Sequence, residues 1–286
     1  MSLNPSAVGI ESSTFTMRYD WKTLVLYALG VGAKRSELDY LYEARGPKIL
    51  PTFAVVPAYP AMFELLGRSG GGLETLVHAA QSVRVMGTLP VSGELQTTGK
   101  ITGVYDLKKL AQMVFETRTT CQGELVFESE WSMFFLGQGG FAGPRPPKSP
   151  IPRIPSDAQP VFEFEEQISP EQALLYRLSG DFNPLHADPA FAAVVGFSAG
   201  PILHGLATYG YCARALIQSA LGGDAQRLRA FHAQFRKPVW PGETLKTQGF
   251  LLDGGFALRA FAGGREDPVA LCSAECSAEP SGKTSG

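Results

Sequence analysis

Two short matches recur at one spacing along this chain, and a duplicated chain is constrained to fold as two copies of one unit. Tyr27-Ala28-Leu29-Gly30 aligns with Tyr176-Arg177-Leu178-Ser179, an offset of 176 − 27 = 149. Gly93-Glu94 aligns with Gly242-Glu243, and 242 − 93 is again 149. Between the copies, Gly137 to Pro160 is rich in Gly and Pro, with the run Pro144-Arg145-Pro146-Pro147 inside it. That composition reads as an extended connection. The expected organisation is residues 1–140 as one repeat, 141–158 as linker and 159–286 as the second repeat. Tandem copies of one unit usually pack against each other.

Each half carries the same coarse order: a short helix, a second helical stretch, then strands. In the second half Ser169-Pro170-Glu171-Gln172 reads as a helix start, with Ser169 as N-cap, Pro170 at the first helical position and Gln172 completing a capping box. Gly180 supplies the stop. An apolar helix is expected from about Ile202 to Leu221, closed by Gly222-Gly223, with small residues Gly205, Ala207 and Gly210 that permit close approach. Strands follow over 229–235, 243–252, 256–262 and 269–274, separated by Pro and Gly signals including Asp253-Gly254-Gly255. The first half repeats them over 80–86, 93–105, 113–121 and 124–135. Its counterpart helix, 58–66, is expected to be short because of Pro57 and Pro60. One apolar helix followed by an antiparallel meander is an α+β pattern, a sheet wrapped around a helix.

Bulk properties remove several functional classes. A hydrophobic content of 44% allows a well-buried core. The net charge of −2 with no basic tract argues against nucleic acid as a partner. No apolar run reaches membrane-spanning length. Met1-Ser2-Leu3-Asn4-Pro5 lacks signal-peptide character, and Gly282-Lys283-Thr284-Ser285-Gly286 is not a peroxisomal Ser-Lys-Leu address. Four cysteines are too few for a disulfide scaffold, which fits a reducing, cytoplasmic setting. Cys272 and Cys276 form a lone C-x3-C without a second ligand pair, so no metal is expected there.

The chemistry concentrates in residues 176–186, Tyr-Arg-Leu-Ser-Gly-Asp-Phe-Asn-Pro-Leu-His. Gly180 and Pro184 keep this span from being one helix, so Asp181, Asn183 and His186 can converge from one turn. A carboxylate beside an imidazole handles protons at a water molecule. An isolated Asp and His at this spacing is more often a turn cap beside a polar niche, and Asn183 before Pro184 fits turn chemistry as well as it fits a water ligand. Further along, Leu203-His204-Gly205-Leu206 opens the long helix, where a backbone N–H is available to a developing oxyanion. His204 reads as a half-buried helix-terminal residue, with a direct catalytic role as the alternative, and His78 and His232 as packing. Neither a phosphate-cradling G-x4-G-K-S/T loop nor a G-x-S-x-G elbow is present, which sets aside nucleotide-binding and serine-hydrolase readings.

Residues 176–192 resemble the signature of the hydratase 2 family of enoyl-CoA hydratases, within the wider MaoC-like dehydratase superfamily. The resemblance extends to Tyr27–Ala33, Leu50-Pro51-Thr52-Phe53, Pro201–Leu206 and Pro238-Val239-Trp240-Pro241-Gly242-Glu243, and covers roughly residues 15 to 278. It implies a double hot-dog fold and reversible hydration of trans-2-enoyl-CoA to (3R)-hydroxyacyl-CoA, without a cofactor. Carried over residue by residue, it implies that Asp181 and His186 activate the water, that Asn183 assists, and that the Gly205 N–H holds the thioester oxygen. Which of the coupled pair moves which proton stays open, although Asp181 is the expected base and neutral His186 the group that then acts as an acid.

At the same offset the first half has Gly32, Lys34 and Glu37 where the second has Asp181, Asn183 and His186, so one active site per chain is expected. The resemblance implies that the first half is an acyl-chain pocket. Arg84, Arg236 and Lys237 are candidate contacts for the CoA phosphates and adenine, although a surface basic pair is usually just solvated. Two rival readings are a thioesterase on the same fold and a non-catalytic acyl-CoA-binding module. A homodimer is expected by resemblance and through exposed sheet edges, although two tandem units already imitate a dimer.

Overall fold

The computed structural model describes residues 3–252 and 254–277. Met1-Ser2, the 282–286 segment read for targeting and Asp253 of the expected turn lie outside the described residues. The first half holds β1 (Phe15–Tyr19), α1 (Trp21–Gly30), α2 (Leu38–Leu41), α3 (Val55–Arg68), β2 (Leu76–Val85), β3 (Gly93–Asp106), β4 (Leu110–Cys121) and β5 (Glu124–Leu136). The second holds β6 (Phe162–Gln167), α4 (Gln172–Tyr176), α5 (Pro189–Val194), α6 (Gly205–Ala220), β7 (Leu228–Phe235), β8 (Thr244–Leu252), β9 (Gly255–Ala262) and β10 (Ala270–Cys276).

The ten strands form one antiparallel sheet in the order β1-β3-β4-β5-β2-β7-β10-β9-β8-β6. Read inward from either edge, each half has the same order, and the halves join where β2 pairs with β7. The register carries the duplication. Ser82 faces His232 and Val83 faces Phe231, and the 149-residue offset exchanges the two pairs, since 82 + 149 = 231 and 232 − 149 = 83. The two units therefore meet about a local twofold, each with a central helix against the sheet, which is a double hot-dog. The inner edges are consumed by this pairing, leaving β1 and β6 as the edges of the sheet.

The strands follow from alternation. In β3, Leu95, Thr97, Gly99 and Ile101 face inward while Gln96, Thr98 and Lys100 face solvent. α6 has no such polar face. Leu206 through Ile217 are all buried, so it is a core helix enclosed on every side. Gly210 is the point of closest approach: a Cβ there would lie 2.3 Å from the Val31 side chain of the other half.

Several elements differ from the expectation. β1 and β6, edge strands ahead of the first helix of each half, are not among the expected strands; their burial alternates, but over only five and six residues. α3 runs for 14 residues rather than 58–66. Pro57 falls in its first turn, where the N–H needs no intrahelical acceptor, and Pro60 lies on its exposed face. α6 starts at Gly205, because Ile202 to His204 run extended and the Leu203 N–H bonds to Val239 O at 2.7 Å. Gln172 does not complete a capping box. Its side chain donates instead to Leu29 O at 2.8 Å and Gly30 O at 2.7 Å, tying α4 to the end of α1. The Pro-rich connection is seated rather than free, since Ile154 is buried against Phe250 and Ala257. Cys272 is buried and hydrogen-bonds Cys212 on α6, whereas Cys276 lies past a register break and is half-buried.

One charged cluster crosses the junction. Arg214, in the middle of α6, is 1% exposed. Its guanidinium donates to Glu37 at 2.6 Å, to Val31 O at 2.8 Å and to Glu166 at 3.1 Å. Glu37, the counterpart of His186 by offset, thus serves as an anchor between halves. Burial raises the Glu166 carboxyl, opposed by the charge of Arg214. Removing the cation strands two buried carboxylates. Arg214→Ala should therefore lower the unfolding free energy in urea by about 3–5 kcal/mol, and Arg214→Met with Glu37→Leu and Glu166→Leu should recover most of it. A loss within experimental error for Arg214→Ala alone would contradict this role.

Candidate active site

α4 ends in a tight turn over 177–179, and Gly180 adopts φ +122°, a conformation that favours glycine. The chain then bends through Asp181 and Phe182 into a second turn over Pro184–His186. Asn183 shapes that turn. Its Oδ1 accepts the Leu185 N–H at 3.0 Å, while its own N–H donates to Asp181 Oδ1 at 3.2 Å. The Asn183 carboxamide oxygen is thus engaged in turn chemistry, and the residue is exposed.

His186 is buried, and its Nδ1–H donates to Ile202 O at 2.8 Å. A carbonyl can only accept, so this contact fixes the tautomer and leaves Nε2 with a free lone pair. Ile202 belongs to the extended lead into α6, so the helix tip and the imidazole are set by one bond. His204 follows two residues later and stacks on His186, ring centroids 3.7 Å apart at 26°. Its Nε2–H donates to Asp181 O at 3.2 Å. The Tyr176 ring lies 4.8 Å away on its other side. The sequence suggests that His204 is a helix-terminal residue with partial burial. The structure buries it completely between the two arms of the site.

Desolvation lowers the pKa of His186, with the charge of Asp181 and the Ile202 bond opposing it. Desolvation also holds His204 well below its ordinary value, aided by the neighbouring His186. Both imidazoles are therefore neutral at pH 7. Each of Asp181, His186 and His204 offers an atom within 4.8 Å of the other two. Metal ligation fits this set poorly. His186 Nδ1 and His204 Nε2 are occupied by carbonyls, and stacked rings send their in-plane lone pairs side by side rather than to one point.

Water fits better. Asp181 and His186 Nε2 are both acceptors, and one water donating to two acceptors at about 2.8 Å spans a gap of roughly 4.5–5 Å. Both hydrogens are then used, and an oxygen lone pair faces outward. Gly205, the first residue of α6, is half-buried and accessible. The N–H groups of a first helical turn have no intrahelical acceptor and lie at the positive end of the helix dipole. Acceptor pair and donor thus sit beside one another, linked through His204.

His186 opens into a cleft of about 530 Å³ whose walls include Pro170, Leu174, Pro201 and Trp240. A larger concavity of about 610 Å³ lies elsewhere, on the outer face of the sheet, and holds Arg84, Glu130 and His232. Of Asp181, His186 and Gly205, His186 is the one that lines the smaller cleft, and none of them lines the larger. Arg84 sits in the outer groove, with both guanidinium nitrogens on Glu275 at 3.1 and 3.2 Å, and is not brought to His186. Arg236 and Lys237 are exposed on the loop leading to Trp240, and Lys237 pairs with Asp267. Arg265 went unnoticed in the sequence. It lies 5.4 Å over the Trp240 ring and bonds to Glu243 at 2.7 Å, making a firm rim for the cleft.

Residues 154–253 match the family model described as MaoC like domain, and residues 17–137 match MFE-2 hydratase 2 N-terminal domain. The chain is 37% identical over 257 residues to 3-hydroxyacyl-thioester dehydratase Y of Mycobacterium tuberculosis, covering 86% of this chain and 87% of that protein. It is also 37% identical to peroxisomal multifunctional enzyme type 2 of the mouse, over 85% of this chain, but spans only 34% of that longer protein. Among solved structures, a MaoC-like dehydratase from Phytophthora Capsici superposes with a TM-score of 0.87 at 29% identity, covering 97% of this chain and 99% of the other.

All four histidines have lowered pKa values, those of His78 and His232 down to about 4 through desolvation. Unfolded, each would take up a proton near 6.5. The unfolded state therefore binds more protons below that pH, and stability falls on acidification. Glu130 and Glu166, whose carboxyls are raised by burial, act in the opposite sense but are fewer. The thermal midpoint should decline as pH drops from about 6.5 toward 5, and His232→Gln should flatten that slope. An unchanged midpoint across this window in calorimetry would contradict the burial of neutral imidazoles.

Proposed function

We infer the reaction from a premise the comparisons establish: this chain belongs to the MaoC-like dehydratases, in their hydratase 2 family. It is a hydratase. Its reaction is the reversible addition of water to a trans-2-enoyl-CoA, giving the (3R)-3-hydroxyacyl-CoA. The observation that carries this reading is the acceptor pair of Asp181 and His186 beside the Gly205 N–H, with His204 joining the two.

The water donates to the Asp181 carboxylate and to His186 Nε2, and its free lone pair attacks C3. Electron density moves through the C2–C3 bond to the thioester carbonyl, and the Gly205 N–H stabilises the resulting enolate oxygen. The dyad takes up the proton lost by the water and delivers it to C2 as the carbonyl re-forms, which returns both groups to their starting state. Hydroxide has added to C3 and a proton to C2, with no redox change. Neutral imidazoles suit this role, because a protonated His186 would donate to the water and weaken it as a nucleophile. Asn183 assists by holding the turn that presents both groups.

In this reading the second repeat, 159–286, supplies the chemistry, and the first, 1–140, walls the acyl chain, with 141–158 as the connection. The pantetheine arm lies along the cleft beside Leu174 and Trp240, and Arg236 with Lys237 meets the CoA phosphates near its mouth. The chain acts in the cytoplasm, supported by four free cysteines, although similar proteins include ones named as peroxisomal. Among the described residues no helix is long and apolar enough to cross a membrane. A homodimer through the β1 or β6 edges is the proposed assembly.

Crotonyl-CoA assayed by loss of enoyl absorbance, with free thiol followed in parallel, separates hydration from thioester cleavage. Asp181→Asn and His186→Ala should each lower kcat about a hundred- to ten-thousandfold. Gly205→Pro should lower it about a hundred- to a thousandfold by removing one N–H. That substitution leaves the helix intact, because proline is favoured at a first helical position and His204 already has ψ 135°. Gly205→Ala keeps the N–H, meets Phe235 only at an ordinary 3.5 Å, and should retain most activity. Release of thiol instead of hydrated product, or full activity in Asp181→Asn, would contradict the reading.

A further inference from the structure

We propose that Tyr59, on the central helix of the first half, is a positioning residue for the Asp181–His186 pair, so that both repeats build the active site. This rests on the hydration reading, and it departs from the sequence expectation that the first half lacks catalytic machinery.

Two separate contacts lead from Tyr59 to the reacting groups. The first is through its ring. Gly180 leaves a space where a side chain would stand, and a Cβ there would lie 3.0 Å from Tyr59 Cδ2. Gly180, the residue before Asp181, therefore packs against the Cδ2 side of this ring. The second is through its hydroxyl, which lies 3.2 Å from the hydroxyl of Tyr176 across the junction of the halves. Tyr176 abuts His204, which stacks on His186 and donates to Asp181 O. Tyr59 thus contacts the start of the bend with its ring and connects to the imidazole pair through Tyr176.

Tyr59 is itself held firmly enough to transmit position. It is 3% exposed. The Trp131 ring meets it edge-on at 5.8 Å, Phe63 stacks on it at 5.9 Å, and the Trp131 Nε1–H is anchored to Thr117 at 3.3 Å. The hydroxyl pair also has a donor to spare. Two phenols carry two protons, and the bond between them consumes one. The charge of Asp181 is felt at both, where, after desolvation, it helps raise their pKa values. The spare O–H is therefore a donor within the field of the Asp181 carboxylate.

The test separates positioning from simple packing. Tyr59→Phe keeps the ring under Gly180 and removes only the hydroxyl. It should lower kcat for crotonyl-CoA about tenfold with little change in KM. Tyr59→Leu, which also removes the seat for Gly180, should cost more. In a double-mutant cycle with Tyr176→Phe, the two losses should be non-additive. A drop in thermal midpoint with kcat unchanged would mean a packing role only and overturn the proposal. The wild-type protein is the control: if it hydrates no enoyl-CoA, the hydratase reading falls first, whereas an active wild type with an unaffected Tyr59→Phe removes this inference alone.

Discussion

A guanidinium that is 1% exposed can persist only if its surroundings satisfy it, and here they come from both halves of the chain. Arg214 is held by Glu37 and Val31 O of the first repeat and by Glu166 of the second. Gly205 lies nine residues earlier on the same helix, about 13.5 Å along its axis. Pinning the middle of α6 therefore fixes where its tip points. Gly210 against Val31 removes sliding, and Gln172 on the end of α1 fixes the helix that feeds the catalytic bend. The junction strands β2 and β7 set the halves in register. The site inherits its precision from these contacts.

That precision is used to keep a set of polar groups dry and correctly charged. The catalytic bend is satisfied mostly by its own backbone: Asn183 caps Leu185, Ile202 O takes the proton of His186, and Asp181 O takes that of His204. Each imidazole spends one nitrogen on structure. For His186, which lines the cleft, the remaining nitrogen is left as an acceptor. Burial is the dominant force depressing both histidines, so the same desolvation that costs stability in acid supplies a neutral acceptor at pH 7.

Much of this was legible in the sequence, for physical reasons. The strands of both meanders have period-two alternation bounded by Gly and Pro, and α6 is an unbroken apolar run, so their places were readable to within a few residues. The Asp181-to-His186 bend was readable because Gly180 and Pro184 break helix on either side. What escaped was set by contacts distant in the chain. β1 and β6 are short edges whose existence depends on β3 and β8. α3 continues through Pro57 because the lost N–H falls where none is needed. Gln172 has the local chemistry of a cap but a better partner 143 residues away. Arg84 is held by Glu275 and is 191 residues from it in sequence. His204, Tyr176 and Tyr59 carry no motif of their own and gain meaning only where the two repeats meet.

The most direct test of the central claim is the position of the product's hydroxyl in a crystal structure with (3R)-3-hydroxybutyryl-CoA bound. The account predicts the C3 hydroxyl oxygen within hydrogen-bond distance of both the Asp181 carboxylate and His186 Nε2, with the thioester oxygen on the Gly205 N–H. A hydroxyl contacting only one member of the pair, or a thioester oxygen turned away from the tip of α6, would contradict it.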